Sequence, residues 1–212
     1  MACRKTFPPL YAIVNADSEF AFELVRDLLH TRIELLQLRG KTLRESELEE
    51  FTKKVLSARE TLRESKSPRI IVNDSPRVCL AAGADGVHLG QEDEPPDQAR
   101  SLLGPDAFIG LSTHTLAQLE ASPYHILNYL AFGPVFESSS KSGHAKVVGL
   151  TTLAQAAELS PLPLVAIGGI TTERAAAVYS AGAASIAVIS DLTQAGKIRE
   201  KVEEYYVLAG CE

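Results

Sequence analysis

Eight short apolar runs, separated by longer stretches with helical spacing, constrain the fold of this chain more than any other feature. The runs are LYAIV (10–14), ELLQL (34–38), RIIV (69–72), DGVHL (85–89), FIGLS (108–112), YLAF (129–132), PLVAI (163–167) and SIAVI (185–189). The plainest intervening helix is LRESELEEFTKKVLSARETLRE (43–64), where Leu48, Phe51, Val55 and Leu62 keep a 3.6-residue stripe. Charges fill its other face and read as a solvated surface. Strands that are apolar along their whole length are buried on both sides, the condition of parallel strands covered by crossover helices. Eight such units, with no spare strand and no linker, predict an α/β fold: one domain over residues 1–212, a single (β/α)8 TIM barrel. A doubly wound open sheet is the competitor, but it usually needs fewer units.

An internal echo fits the barrel. AAGADGVHLG (81–90) resembles SAGAASIAVI (180–189), and in each a glycine, Gly83 or Gly182, can take the left-handed conformation that ends a helix before the next strand. Ala-Gly-Ala is an easy way to build any such turn, so one echo does not establish duplication. The formal net charge of -6 argues against nucleic acid, whose phosphates need a basic face. An anion must instead be bound locally, by a few placed cations or a metal. Cys3, Cys79 and Cys211 are odd in number and far apart, so reduced thiols are expected rather than a disulfide framework or a zinc site. No apolar stretch approaches the ~20 residues of a membrane helix, and the N-terminus lacks a signal-peptide core. The expectation is a soluble, cytoplasmic protein; oligomeric state, including a homo-oligomer, is left open.

In a barrel of this kind the chemistry gathers at the carboxyl ends of the strands. After the second run, Gln37, Arg39 and Lys41 alternate in QLRGK and can project to one side, where Arg offers a planar fork and Lys a point charge to phosphate oxygens. The third and fourth runs end in Asn73-Asp74 and Gln91-Glu92-Asp93. Two carboxylates from neighbouring loops suit a Mg²⁺ that keeps part of its water shell. The alternative is that Asp74 and Asp93 only cap the helices that follow.

The fifth run gives Ser112, a hydroxyl donor, and His114, able to exchange protons near neutral pH. No nucleophile-elbow motif or triad is recognisable, so hydrolase chemistry is unsupported. The polar stretch after the sixth run, with Ser138, Ser140 and Lys141, reads as a mobile active-site loop over 137–148, or else as a plain surface loop. The seventh and eighth runs end in Gly168-Gly169 and Ile189-Ser190, where this fold usually builds a phosphate cup. Two anion sites imply two phosphorylated reactants or one long one.

With these residues assembled, the chain resembles the thiamine phosphate synthase family and the related thiazole tautomerases over nearly its whole length. The carriers are QLRGK, VND, AAGADGVHLGQED, GLSTHT, FGPVF with SSSK, AIGGIT and AVIS, all in family order. The resemblance implies a Mg²⁺-dependent TIM-barrel transferase that joins hydroxymethylpyrimidine pyrophosphate to thiazole phosphate and releases pyrophosphate. It places Gln37, Arg39 and Lys41 on the pyrimidine pyrophosphate, Asn73 among the substrate-binding residues, Asp74 and Asp93 on the metal, and Ser112 beside the reacting pyrimidine. Ser138, Ser140 and Lys141 match the family lid, and Gly169, Ile189 and Ser190 its thiazole-phosphate cup. Ser112, Lys141, Arg39 and Lys41 are the expected catalytic residues, with His114 added as a proton carrier.

Three features depart from the family pattern. Gly40 replaces the usual acid between Arg39 and Lys41, the lid threonines are serines, and VNDSPRV has no basic residue directly after Asp74. Two rivals remain. One is a thiazole tautomerase working through His114, although such relatives tend to lose the pyrophosphate and metal residues kept here. The other is a non-catalytic barrel that binds a thiamine intermediate, which would need only one of the two anion sites.

Overall fold

The structure, a computed structural model, describes residues 7–62, 67–137, 146–193 and 197–211. Eight parallel strands close on themselves in chain order: β1 (Leu10–Asn15), β2 (Leu35–Arg39), β3 (Arg69–Asn73), β4 (Gly86–Leu89), β5 (Phe108–Thr113), β6 (Tyr129–Phe132), β7 (Leu164–Ile167) and β8 (Ser185–Val188). The expected TIM barrel is therefore present, and the pairing of β1 with β8, through Leu10 and Ile186, excludes the open sheet. The outer helices are α1 (Ala21–Leu29), α2 (Glu45–Glu60), α3 (Pro76–Ala82), α4 (Pro96–Leu103), α5 (Leu116–Glu120), α6 (Gly149–Leu159) and α7 (Thr172–Ser180). A short α8 (Ser190–Thr193) and a final α9 (Ile198–Leu208) follow β8.

Alternation along each strand divides the core in two. In β1, Leu10, Ala12 and Val14 face the helices and join the large outer cluster. Tyr11 and Ile13 point the other way, into a second cluster inside the barrel with Leu35, Ile71, Tyr129, Val165 and Ala187. That interior is aromatic at its centre. Tyr129 lies against Phe108 at 5.5 Å between centroids and against His88 at 5.5 Å, both nearly parallel. Gly110 on β5 makes room for it, since a Cβ there would fall 2.0 Å from the Tyr129 Cζ.

Two local expectations were only partly met. The fully buried residues of α2 are Leu48, Thr52, Val55 and Leu56, while Phe51 and Leu62 pack against the core only partly buried. Thr52 can be buried because its hydroxyl donates to the Leu48 carbonyl at 2.7 Å, and Leu62 lies beyond the helix end. Gly83 does end α3 in the left-handed conformation, and Gly182 also has a positive φ, of 98°. Cys79 is a buried free thiol, whereas Cys211 is disulfide-bonded, contrary to the expectation of reduced thiols throughout. Spacing along a chain says little about distance in a barrel whose first and last strands pair. Among the described residues no helix is long and apolar enough to cross a membrane.

Candidate active site

All the candidate residues within the described part of the chain lie at one end of the barrel, in the last three residues of a strand or in the segment that follows it. Arg39 ends β2 and Asn73 ends β3, while Ser112 sits one residue before the end of β5. Their depths differ. Gln37 is buried inside the barrel, where its amide donates to the Tyr11 hydroxyl at 2.9 Å. Arg39 is half-buried near Asn15, and Lys41 reaches the exposed rim. Lys41 is held there by the β1 loop: Asp17 accepts from the backbone N–H groups of Lys41 and Thr42, each at 3.2 Å.

The two carboxylates meet. Asp74 pairs with the Lys41 ammonium, and the Asp93 carboxyl lies against that of Asp74. Neither caps a helix. Ser75 is the N-cap of α3, accepting from Val78 N–H at 3.2 Å, and α4 begins after Pro95 without a side-chain cap. Asp93 instead accepts from the Gly90 N–H at 2.6 Å, inside its own loop.

The backbone at Asp74 is strained into position. Its φ of 67° puts a non-glycine residue in the left-handed region, while Ser75 N–H reaches back across it to the Asn73 carbonyl at 2.9 Å. A conformation of this kind costs on the order of 1 kcal/mol and persists where neighbours enforce it, often at functional sites. The enforcing contact is the Asp74 N–H donating to the His88 carbonyl at 2.8 Å.

Burial pushes the Asp93 carboxyl above its ordinary pKa; the Gly90 N–H pulls it down, the adjoining Asp74 carboxyl raises it again, and Lys41 lowers it. Two acids placed side by side without a full counter-charge suit a cation. Among the described residues no cluster of three or more His, Cys, Asp or Glu could hold a metal by itself. The donor set therefore fits a hard ion that takes one or two carboxylates and completes its shell with water and phosphate oxygens, as Mg²⁺ does.

A stability prediction follows from the raised Asp93. A carboxyl whose folded pKa lies above its unfolded value opposes folding once pH exceeds the unfolded value, and has no effect in acid where both states are protonated. Asp93→Asn can still accept from Gly90. We expect it to melt ~1–2 °C higher than wild type at neutral pH without metal, a small gain because the group is only partly buried. The difference should vanish in acid. Thermal melts across pH, showing a variant no more stable at neutral pH than in acid, would contradict this.

His114 is oriented away from simple acid–base duty. Its Nδ1 lies 2.6 Å from the Gly133 carbonyl and so carries the proton, and its backbone N–H donates to Gln118 at 2.8 Å. At the opposite wall, Gly168 and Gly169 have φ of 104° and 59°. A Cβ on Gly169 would meet the Glu137 carbonyl oxygen at 2.2 Å, so the Gly-Gly pair lets residues 134–137 pack down on the end of β7. Val135 N–H and Phe136 N–H complete that contact by donating to Ile167 and Gly168 carbonyls, at 2.8 and 3.0 Å. Ile189 follows β8 directly, and Ser190 opens α8, where a short helix was expected. Ser138, Ser140 and Lys141 lie outside the described residues.

Sequence reasoning missed the floor of the site. The mouth is lined by Tyr11, Gln37, Arg39, Asn73, His88 and Ser112, with Ala131, Ile167 and Ile189 opposite. His88 bridges Tyr129 and Ser112, at 2.8 Å from each. The signal was there: in GVHLG, period-two alternation puts His88 on the inner face with Gly86 and Gly90.

Comparison with known proteins bears out the expected family. The family model described as thiamine monophosphate synthase matches residues 10–192. The chain is 40% identical to the thiamine-phosphate synthase of Koribacter versatilis, over 91% of this chain and 92% of that one. It is also 40% identical to the synthase of Caldicellulosiruptor bescii, over 87% and 82% of the two chains. Among solved structures, the thiamine phosphate pyrophosphorylase from Pyrococcus furiosus superposes with a TM-score of 0.81 at 31% identity, covering 95% of each chain.

Proposed function

The chain belongs to the thiamine monophosphate synthase family and is a transferase that makes thiamine phosphate; on that premise we propose that it joins hydroxymethylpyrimidine pyrophosphate to thiazole phosphate, with release of pyrophosphate, in a Mg²⁺-dependent dissociative substitution. The observation that carries this reading is the meeting of Asp74, Asp93 and Lys41 at one point of the barrel rim. Arg39 and Lys41 take the diphosphate oxygens, and Asn73, at the end of β3, helps to fix the leaving group. Gln37 sits too deep to act as a rim cation does, and so serves the ring end of the same substrate. Asp74 and Asp93 hold Mg²⁺, which when bound supplies the positive charge that a departing diphosphate needs.

The pyrimidine then carries a carbocation, and the thiazole nitrogen captures it. Such a step asks the chain for little proton transfer. It needs the two ring systems held in line and water kept away. Ser112 orients the pyrimidine, Gly169, Ile189 and Ser190 cradle the thiazole phosphate, and Ser138, Ser140 and Lys141 serve as further donors to the substrates. The chain acts as one barrel domain, on small molecules, in the cytoplasm.

The test is to mix protein, Mg²⁺ and both substrates and to look for thiamine phosphate with and without chelator. Product only in the unchelated tube is expected; product in both removes the metal, and product in neither removes the synthase. His114 separates the tautomerase. Because its Nδ1 is committed to the Gly133 carbonyl, His114→Ala is expected to cost less than about tenfold in kcat/KM for synthesis. A tautomerase would be abolished by the same change.

A further inference from the structure

Beneath the mouth, a row of polar side chains crosses the barrel. Gln37 Nε2 donates to Tyr11 Oη at 2.9 Å, Tyr11 Oη lies 2.9 Å from Tyr129 Oη, and Tyr129 Oη lies 2.8 Å from His88 Nδ1. His88 Nε2 then lies 2.8 Å from Ser112 Oγ. Burial raises the pKa of both phenols, so each stays protonated with one hydrogen to give.

We propose that this row is a one-way hydrogen-bond chain in which Gln37, Tyr11 and Tyr129 hold His88 as its Nε2–H tautomer, making Ser112 a hydrogen-bond donor toward the barrel mouth.

The direction follows from counting protons. Gln37 supplies a hydrogen to Tyr11, so the Tyr11 proton goes to Tyr129. The Tyr129 proton goes to His88 Nδ1, which must be the bare nitrogen of a neutral ring. Nε2–H donates to Ser112 Oγ, and the serine hydrogen is left to point into the mouth, which Ser112 lines. A Gln37 amide turned over would reverse every bond and leave Ser112 presenting only an acceptor. Gln37 thus decides, from across the barrel, which partner Ser112 accepts. His88 and Tyr129 are positioning residues, acting through Ser112. Resting on the proposed function, the donor suits an acceptor nitrogen of an aminopyrimidine ring and disfavours a ring that presents N–H there.

The test uses the ligand-free protein with ¹⁵N-labelled histidine. In wild type, His88 Nδ1 should read as an unprotonated nitrogen accepting a hydrogen bond and Nε2 as protonated. Tyr129→Phe keeps the ring volume and should move the Nδ1 resonance toward that of an unbonded, unprotonated nitrogen. Tyr11→Phe cuts the chain between Gln37 and Tyr129, leaving the Tyr129 hydroxyl free to accept as well as donate, so part of the Nδ1 signal should move toward the protonated position. A protonated Nδ1 in wild type, or an Nδ1 resonance that Tyr129→Phe does not move, overturns the chain; the wild-type spectrum decides the direction even if a variant fails to fold. These spectra need no substrate, so they stand apart from the functional reading. In the assay, Tyr129→Phe should raise KM for the pyrimidine substrate about tenfold and leave that for thiazole phosphate unchanged. An unchanged pyrimidine KM alongside the expected spectra overturns the recognition role assigned to Ser112.

Discussion

Asp74→Asn lowers kcat/KM for thiamine phosphate formation by ~10³ while leaving the melting temperature within a few degrees of wild type. The substitution is chosen to separate charge from shape. Residue 74 sits at φ 67°, and asparagine tolerates the left-handed region better than other non-glycine residues. The strained turn between Asn73 and Ser75 therefore survives, and so does the backbone bond to His88. What disappears is the carboxylate that faces Asp93 and pairs with Lys41. The remaining activity should respond weakly to added Mg²⁺. A full-activity Asp74→Asn enzyme would mean that the acid pair is only a surface ion-pair network.

The second large effect concerns the fold. Gly110→Ala is expected to destabilise by ~3 kcal/mol or more, lowering the melting temperature by about 10 °C. On backbone grounds alone the sign would be the opposite, because replacing an unstrained glycine by alanine reduces the entropy of the unfolded chain by about 0.4–1 kcal/mol. The new methyl, however, would lie 2.0, 2.3 and 2.5 Å from Cζ, Cε1 and Cε2 of Tyr129. That ring has nowhere to go. Phe108 and His88 cover it, and its hydroxyl is bonded to Tyr11 and His88. Denaturant unfolding that found the variant as stable as wild type would show the barrel centre to be looser than it looks.

The barrel was legible because its physics is periodic. Eight doubly buried strands cannot be written without eight apolar runs, and each run falls within about a residue or two of an observed strand. The rim residues were legible for a related reason: an apolar run that breaks into Asn73-Asp74 or Gln91-Glu92-Asp93 has left the core. Less visible was anything set by strand-to-strand register. Asn73 lies beside His88, and His88 beside Gly110, only because the strands are staggered around a closed sheet. Tyr11, His88 and Tyr129 looked like ordinary core positions within apolar runs, and their hydroxyls and imidazole become a network only when three distant strands converge. Asp17 was hidden likewise, since its role is to hold Lys41 and Thr42 from across the β1–β2 boundary. Gly40 shows why a departure from a family pattern can be harmless to the fold: a Cβ there would sit 3.2 Å from both Leu43 and Leu48 side chains, so the glycine packs closely where an acid would need space.

Titration of Mg²⁺ into wild-type protein saturated with hydroxymethylpyrimidine pyrophosphate, beside the Asp74→Asn variant, is the most direct measurement. The wild type should take up the ion saturably, with no comparable uptake when the substrate is left out, and the variant should not bind it with or without substrate. Equal uptake by the two proteins, or none by either, would contradict a divalent cation held by this acid pair against a diphosphate.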